Sequence, residues 1–545
     1  MLFVGCTTNS GVVSSPDGGG SVGPADSGSP EYDAGGPPPA DAGTDAGPPD
    51  AGTPPDGGTT VQFGGPGPWP MSNVTYGGAQ GIGETDVVGM STDEAQNLWV
   101  ATRSALYVMR PGDTKFTRFD GNTGSPDVPN QHGEALTYVG NRLHLASNPV
   151  TYCDNSFSNP SNLQPPPDEA CPITGAADAA GISEIAGGGP NEVFVGYYGS
   201  DCSDSDPRCP SDWASKEGTW ADPYRHSGQI DRVRLQPDGS IEVVRFNMVS
   251  TDNVMFWHNR TVERLIYDHF IHPHELYAGT NHGVDKFTPD NWHQPTGWFA
   301  SAANNDQWMS DHLHAQVCYH ATCVDDSNQR LGDWRGLAIA TNGDLWTAGR
   351  WAAGEIRWVA DNSIWWTTPR ADDRKNAFEE AFGDGYLGGC SGNRPVFCPP
   401  QEGDYVNLTA VAVTRDASGQ DQVWFSSGII YNDPTDVNYG VARFLANPGP
   451  GQQKWTYYDP VRDIGMAEAN VRDMIALPDG RLVLAGPNTG LVVWTPGAGP
   501  GKPMRASNGY LPDDNVHRLE LDAMVTPPAL HVSTNNGATT IRVFP

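Results

Sequence analysis

The chain has 545 residues, with 65 glycines and 47 prolines but only 18% charged residues. This composition favours a turn-rich all-β structure with an additional low-complexity segment, and it argues against a helical bundle. The formal net charge of −33 would repel the phosphates of nucleic acids, so no nucleic-acid partner is expected.

The first six residues, Met-Leu-Phe-Val-Gly-Cys, resemble the end of a bacterial lipoprotein signal peptide, in which a cysteine receives the lipid. Phe3, Val4 and Gly5 precede Cys6, the candidate lipidation site, although the basic and hydrophobic part of such a leader is missing upstream. The alternative interpretation is an arbitrary N-terminus with a stray cysteine.

Residues 7–70 are mostly Gly, Pro, Ala, Ser, Thr and Asp, with no Lys or Arg. Such a segment has few large apolar side chains to bury, so we predict a disordered linker that precedes a folded domain at 71–545. A lipobox-like segment, an acidic spacer and a folded domain together resemble surface lipoproteins of Gram-negative, myxobacteria-like bacteria. The resemblance implies an exported protein at the outer membrane or cell surface, with a lipid anchor as its only membrane contact.

From about Val74 onward, one strand–turn–strand pattern recurs without helices between the copies. A central strand is recognisable eight times: Asn97–Thr102, Arg142–Ser147, Glu192–Tyr198, Glu275–Thr280, Asp344–Gly349, Gln422–Ser427, Arg481–Gly486 and Ala529–Thr534. Additional strands flank most copies, and Asn-Gly or Asp-Gly pairs mark tight hairpin turns. A repeated four-stranded unit predicts an all-β fold, a β-propeller of four-stranded blades.

The segments 97–102 and 344–349 resemble the two-component-regulator type of propeller repeat, in which Leu-Trp is followed by a hydrophobic residue and Ala or Gly. The resemblance is at the level of the fold, which hosts many functions. Eight central strands favour eight blades. Seven blades remain the alternative, because no clean outer strand follows Ser147. The terminal strand Thr539–Phe544 and residues near Val74–Tyr76 are expected to complete a blade together, or the latter belong to the first blade.

Eight of the nine cysteines fall into close couples in the loops between repeats. They are the disulfide candidates Cys153 with Cys171, Cys202 with Cys209, Cys318 with Cys323, and Cys390 with Cys398. This pairing is inferred from proximity, because eight cysteines allow about 105 connectivities. Four local disulfides imply an oxidising, extracytoplasmic location.

Nine of the 14 histidines lie between residues 258 and 320, and their spacing suggests either a metal site or loop residues that form ordinary hydrogen bonds. Imidazole and thiolate are the ligands that zinc and copper prefer. The candidate metal ligands are His269, His272, His274, His282, His312, His314 and His320.

The acidic loop residues Asp201, Asp204 and Asp206 are candidate Ca²⁺ ligands, although a solvated acidic loop is the competing interpretation and no EF-hand spacing is present. Zn²⁺ and Ca²⁺ are therefore the cofactors to consider. Neither is required by a recognisable motif.

These observations favour a lipid-anchored extracytoplasmic binding or scaffolding module, with a protein, peptide or glycan ligand at one face of the propeller. The alternative is a propeller-type lyase or hydrolase that uses the histidine-rich region 258–320, with or without a metal. No residue-by-residue match to streptogramin lyase and no assignable catalytic residue supports that alternative, so enzymatic activity stays open. The long insertions at 148–182, 199–228, 289–333 and 370–406 are expected to carry the partner's footprint.

Overall fold

A computed structural model describes the folded part of the chain, within a compact unit that comprises residues 60–545. The described residues are 72–121, 128–129, 138–143, 145, 181–198, 230–246, 261–272, 274–280, 284–287, 310–313, 316–319, 322–325, 334–349, 352–358, 364–367, 408–416, 418–428, 440–445, 448–453 and 455–542. Cys6 and the predicted linker lie outside them.

The described strands form seven antiparallel sheets with at least four strands each, and every sheet is one blade of a β-propeller. The first three blades contain the following strands. Blade 1 comprises β2 (Val87–Thr92), β3 (Leu98–Thr102), β4 (Ala105–Met109) and β5 (Thr117–Phe119). Blade 2 comprises β8 (Ile182–Gly187), β9 (Glu192–Tyr197), β10 (Ile230–Leu235) and β11 (Ile241–Phe246), extended at its outer edge by β7 (Tyr138–Gly140) and β6 (Val128–Pro129). Blade 3 comprises β12 (Val262–Asp268), β13 (Glu275–Thr280), β14 (Val284–Phe287) and β15 (Ser310–Leu313).

The remaining blades follow the same order from the inner strand outwards. Blade 4 comprises β18 (Gly336–Ile339), β19 (Leu345–Gly349), β20 (Ala352–Trp358) and β21 (Ile364–Thr367). Blade 5 comprises β22 (Leu408–Arg415), β23 (Asp421–Ser427), β24 (Val441–Phe444) and β25 (Trp455–Tyr458). Blade 6 comprises β26 (Asp473–Ala476), β27 (Leu482–Gly486), β28 (Gly490–Trp494) and β29 (Pro503–Met504). Blade 7 comprises β30 (Val516–Asp522), β31 (Ala529–Thr534), β32 (Gly537–Arg542) and β1 (Ser72–Tyr76).

A separate hairpin and three short helical segments complete the described secondary structure. The hairpin is β16 (Gln316–Tyr319) with β17 (Thr322–Asp325), and the helical segments are Gly78–Gln80, Pro460–Ile464 and Ala506–Asn508. In the described residues no helix combines the length and apolar character that crossing a membrane requires.

The first strands of the blades surround a central channel. Contacts run from β2 to β8, β12, β18, β22, β26 and β30 in turn, and from β30 back to β2. Seven hydrophobic clusters fill the seven spaces between neighbouring blades. Bulky aromatic side chains such as Trp99, Trp424 and Trp494 are fully buried in these clusters, which places most of the apolar driving force between the blades.

The ring closes through strands from distant parts of the chain. The strand β1 pairs with β32 over five residues, from Ser72 opposite Arg542 to Tyr76 opposite Ala538. This pairing confirms the prediction that residues near Val74–Tyr76 complete the last blade.

The expectation of eight blades is not confirmed, because the strands that the structure describes close the ring with seven. The second predicted central strand, Arg142–Ser147, forms no blade in its described part: Leu143 and Leu145 lie outside the strands. Both leucines are buried in the hydrophobic cluster between blades 1 and 2, which explains their strand-like apolar alternation. The preceding strand β7 joins the outer edge of blade 2 instead.

The other seven predicted central strands are each the second strand of a blade, with boundaries within one residue. The segments 275–280 and 529–534 coincide with β13 and β31. The predicted hairpin turns also hold: Gly343 and Gly480 have φ of 90° and 84°. A left-handed conformation of this kind is freely available to glycine, which is why the turns carry Asn-Gly and Asp-Gly.

Candidate functional site

The first strands of all seven blades can be superposed by sequence position, and one position delivers a side chain to one end of the channel. In every blade this position directly precedes the residue at which the pairing of the first strand with the second strand begins or resumes. Its occupants are Val88, Ser183, Glu263, Arg335, Thr409, Arg472 and His517.

Five of these residues lie in β-bulges. The pairing between first and second strands shifts register at Val88, Ser183, Glu263, Thr409 and His517. A bulge inserts one unpaired residue and re-aims its side chain, and bulges are common beside functional sites. Arg335 and Arg472 directly precede the first residues of β18 and β26, at the same level. In each blade, one residue is therefore left out of the strand pairing, and its side chain lines the end of the channel.

These seven residues and five neighbours line a cavity of about 450 Å³. We call it the arginine mouth, because it is lined by Arg103, Arg335, Arg472 and Arg518. Its only lining carboxylate is Glu263, within the set of described residues that form the cavity. The whole chain has 65 acidic and 32 basic residues, so the arginine mouth reverses the charge balance of the protein.

The floor of the arginine mouth is a quartet of buried charges, Glu184, Arg264, Asp473 and Arg518. The Arg518 Nε donates to Glu184 Oε2 at 2.6 Å, and the Arg264 Nη1 donates to Asp473 Oδ2 at 2.9 Å. The Asp473 carboxylate also accepts from the Leu519 backbone N–H at 2.8 Å. Although burial lowers the pKa of Arg518, the charges of Glu184 and Asp473 outweigh it and raise that pKa. The remaining first strands have Gly89, Gly336 and Ala410 at this level. A Cβ at Gly89 would lie 2.9 Å from Cγ1 of Ile185, and one at Gly336 would lie 2.7 Å from the backbone nitrogen of Val411, so the first strand of the next blade approaches closely there.

A hydrogen-bonded chain runs along part of the rim. Arg103 Nε lies 3.5 Å from Asp86 Oδ2, and Asp86 Oδ1 lies 2.8 Å from His517 Nε2. His517 Nδ1 in turn lies 3.4 Å from Nη1 of Arg472. Burial lowers the pKa of His517, so a neutral ring donates from Nε2 to Asp86 and accepts at Nδ1 from Arg472.

Arg472 differs from the other arginines of the mouth in its partners. Its Nη1 donates to Asn515 Oδ1 at 2.6 Å and to the Val516 carbonyl at 3.0 Å, and no carboxylate of the described chain lies within ion-pair distance of it. Burial and the neighbouring charge of Arg518 lower its pKa. Ser183 contributes a second feature: the residue is 7% exposed, and its hydroxyl has no hydrogen-bond partner in the described part of the chain.

The opposite end of the channel holds a smaller cavity of about 320 Å³, which we call the carboxyl mouth. Glu520 and Asp522 line it, together with apolar side chains such as Met90, Ile475 and Phe270. Asp522 accepts the Met524 backbone N–H at 2.9 Å and so caps the turn after β30. Glu520 is bonded by the Ser91 hydroxyl, and burial raises its pKa to about 8. This acid is therefore largely neutral at pH 7.

Of the predicted histidines, the three whose side chains the structure describes, His269, His272 and His274, do not line the arginine mouth. His269 and the turn that carries it border the carboxyl mouth, where Nδ1 lies 3.3 Å from Oε1 of Glu94. His274 Nδ1 lies 2.9 Å from the Tyr267 hydroxyl, and His272 Nδ1 lies 3.5 Å from Asp268 Oδ2. Each described imidazole thus has a different partner, and among the described residues no three His, Cys, Asp or Glu side chains are placed to hold a metal.

The turn around these histidines is organised by Asp268. Its carboxylate accepts the backbone N–H groups of Phe270, Ile271 and His272 at 2.7–2.8 Å. This is a structural turn motif, in which an acidic side chain satisfies several backbone donors.

Several sequence predictions concern residues outside the described part of the chain. His312 lies in β15, opposite Asp285, and nothing further is described for its side chain. The other residues outside the described set are His282, His314, His320, Asp201, Asp204, Asp206, Cys153, Cys171, Cys202, Cys209, Cys390 and Cys398. Their metal, calcium and disulfide assignments stay predictions.

Cys318 and Cys323 are directly opposite each other in the β16–β17 hairpin. Residues directly opposite in an antiparallel pair have Cα atoms about 4.5–5.5 Å apart. That spacing lies within the range that a disulfide spans. The backbone register is therefore compatible with the predicted bond, which stays a prediction.

The arginine mouth is the feature that sequence reasoning missed. Its seven equivalent residues come from seven repeats and, apart from Arg335 and Arg472, differ in residue type. One signal was available: the segments Val262-Glu-Arg-Leu265 and Val516-His-Arg-Leu519 are nearly the same and supply both arginines of the quartet. An alignment of first strands, in place of central strands, would have brought this position out.

Comparisons with known proteins find solved structures that resemble this chain but do not assign it to a family. No protein-family model matches the chain. No curated protein matches it either. Among solved structures, catalytically inactive virginiamycin B lyase from Staphylococcus aureus with quinupristin is 9% identical, with a TM-score of 0.40, and the match covers 88% of this chain and 100% of the lyase. YCF48 bound to D1 peptide is 10% identical, with a TM-score of 0.40 and coverage of 87% and 96%.

A third solved structure is also similar to this chain. The extracellular domain of a protein described as a hybrid two-component system from B. thetaiotaomicron is 12% identical, with a TM-score of 0.30 and coverage of 84% of this chain and 56% of that one. The assignment of the propeller fold here rests on the strand pairing of the chain itself.

Proposed function

We propose that this chain is a β-propeller binding module whose ligand is received in the arginine mouth. The observation that carries the proposal is the convergence of one residue from each of the seven first strands on a single cavity. A cavity of about 450 Å³ falls within the usual range of ligand pockets, roughly 300–1,000 Å³. Arg518 of the quartet lines this cavity and also, with Glu184 and Arg264, the opposite one, so the quartet lies between the two.

The construction of the site suits recognition better than histidine-based catalysis. The residues at the mouth are held by a rigid ring, whereas their identities vary from blade to blade, as expected for a specificity-determining surface. The enzyme alternative depends on region 258–320, in which the described histidines 269, 272 and 274 each lie next to a different residue, Glu94, Asp268 and Tyr267. We therefore propose binding of a protein, peptide or glycan and do not propose a lyase or hydrolase.

A cavity-filling variant tests this proposal. Thr261 lines the mouth just before β12, and replacing it with tryptophan would occupy the space that the ligand needs. Ligands selected from peptide and glycan arrays with the full chain are expected to lose binding in the T261W variant. They should keep binding in T117W, a matched substitution at an exposed position of the outermost strand β5. Ligands that bind both variants equally well would overturn the proposal, provided that both proteins retain the wild-type melting temperature.

We also propose that the module is exported and held at the outer membrane through a lipid on Cys6. The support is the lipobox-like segment before Cys6, the Pro- and Gly-rich spacer at 7–70, and the four close cysteine couples. When the protein is expressed from its own locus, an alkyne-tagged fatty acid is expected to label the wild type but not the C6S variant. A cytoplasmic, unlabelled product with eight free loop thiols would contradict this location.

A further inference from the structure

We infer that the arginine mouth recognises a carboxylate, supplied either by a small organic acid or by the C-terminus of a peptide. The inference rests on the proposed binding function and specifies the chemistry of its ligand. It begins from the concentration of four arginines around one cavity in a chain of net charge −33.

Most of these arginines already have an acidic partner. Arg518 pairs with Glu184 in the quartet, Arg335 Nη2 lies 3.3 Å from Oε1 of Glu263, and Arg103 lies near Asp86. Arg472 has no acidic partner within ion-pair distance among the described residues. Its hydrogen-bond partners there are an amide, a carbonyl and an imidazole. Glu468 and Asp86 act on Arg472 through their charges, but neither lies within ion-pair distance of its guanidinium, which therefore has donors to offer an anionic ligand.

The guanidinium of Arg472 is partly buried. Gathering cations in a desolvated site is unfavourable, and here burial together with Arg518 lowers the pKa of Arg472. A bound anion would offset this penalty and favour the charged guanidinium. Guanidinium groups match a planar carboxylate particularly well, because two parallel N–H donors face its two oxygens.

Ser183 points independently to a polar ligand in the same cavity. Its hydroxyl is buried without a partner in the described residues, although buried hydroxyls are normally hydrogen-bonded. A rotation about the Ser183 Cα–Cβ bond would present the hydroxyl to a ligand oxygen within the cavity, where it would be satisfied. Around it the mouth offers further uncharged polar groups, including Thr409 and Thr261, and the ring of Tyr198, over which Arg103 lies at 4.9 Å.

The position of the quartet at the inner end of the mouth favours a terminal group over the middle of a chain. A ligand entering from the rim meets the quartet, whose charges already pair among themselves. An anionic end can reach Arg472 while the rest of the molecule stays at the rim. A small dicarboxylic acid and a peptide C-terminus both fit this description.

Titration calorimetry on the full chain tests the inference with defined probes. These are succinate, a mixture of N-acetyl tripeptides with free C-terminal carboxylates, the same mixture as C-terminal amides, and inorganic phosphate. We expect a carboxylate probe to bind, and the affinity to fall as salt is added. Binding of the free-acid peptides but not the amides identifies a peptide end, whereas binding of succinate alone identifies a small acid.

Two variants and one control assign the binding to the mouth. Replacement of Arg472 by glutamine should weaken the carboxylate probe about tenfold or more, as expected when a charge-assisted hydrogen bond is lost. S183A should weaken it by a smaller factor, and R415Q, which removes an exposed arginine on β22, should leave it unchanged.

Binding of phosphate without either carboxylate probe would overturn the inference, and so would carboxylate binding that R472Q leaves intact. The absence of binding to all four probes would overturn it as well. In each of these cases the binding function is judged separately, by whether ligands from the arrays are lost in T261W.

Discussion

At the arginine mouth the first strands present arginines and polar groups. At the carboxyl mouth, beyond the arginines and Glu184 of the quartet, they present Glu520 and Asp522 among apolar side chains. Both ends are built by the same seven strands and differ only in which positions of those strands face the channel. At the first end the exposed position is the bulged residue, which takes no part in the ladder. At the second end the strands finish in turns, and acids such as Asp268 and Asp522 cap those turns.

The difference shows that one scaffold can carry residues that are free to vary at one end of the channel and acids that its turns require at the other. A bulged residue can change without cost to strand pairing, so its identity is free to follow a ligand. The capping acids cannot change in this way, because backbone N–H groups depend on them. The quartet lies between the two mouths, and its two ion pairs separate the charged groups of one mouth from those of the other.

The largest expected effect is a loss of stability when an ion pair of the quartet between the two mouths is broken. Substitution R518L removes the partner of Glu184, whose side chain is 5% exposed, and leaves its charge without compensation. Breaking a buried ion pair from one side costs about 3–5 kcal/mol of the free energy of unfolding. Urea denaturation of wild type and variant at pH 7 measures it. The control R415L breaks an exposed pair with Asp421 and should cost about 1 kcal/mol or less. Similar losses in both variants would show that the quartet contributes no more than a surface pair.

The next effect is expected at the carboxyl mouth, and it depends on pH. Glu520 has a folded-state pKa of about 8 against an ordinary value of 4.5, so the folded protein binds more protons between these two pH values. The free energy of unfolding therefore falls as the pH rises through that window. The variant E520Q cannot ionise, and at pH 9 it should be more stable than wild type by up to about 5 kcal/mol, the equivalent of the full pKa difference.

At pH 4 the two proteins should have nearly equal stability, since the acid is then protonated in both the folded and unfolded states. Thermal unfolding at a series of pH values would reveal the convergence. A constant difference across the series would mean that Glu520 affects stability through packing alone.

The smallest effect is expected at the rim of the arginine mouth. Arg103 and Asp86 are 52% and 44% exposed and 3.5 Å apart, so solvent screens their interaction. Replacing Arg103 with glutamine should change the free energy of unfolding by roughly 0.5 kcal/mol or less. Denaturant titration of R103Q and R518L side by side compares the two stability losses. A loss of several kcal/mol in R103Q would show that the exposed rim pair contributes as much to stability as the buried quartet.

The sequence predicted the propeller well because each blade repeats a central strand that is buried on both sides. Segments such as 275–280 carry the whole strand signal locally, in their apolar residues and the turns beside them. The blade number depended on Leu143 and Leu145, whose apolar alternation is the same whether they form a strand or only fill the space between two blades. Local pattern alone does not separate these cases.

The site was harder to predict than the fold. Histidines 269, 272 and 274 attracted attention because their residue type is chemically distinctive, but their turn is shaped by Asp268 and their rings face separate partners. Arg472 and Ser183 have no distinctive sequence context. They become neighbours only when the ring brings their strands together, and a register shift such as that at Ser183 depends on pairing that sequence alone does not reveal.

The pairing of β1 with β32 also has a consequence for the order of synthesis. Thr539 donates its hydroxyl to the Val74 carbonyl across 465 positions of the chain. A ribosome therefore releases β1 long before its partner exists, and the nascent chain carries an unpaired strand throughout the synthesis of blades 1 to 6. Such an edge can pair with another chain until it is covered. The first strand of this protein is thus the one most in need of protection by a chaperone while the polypeptide is being made.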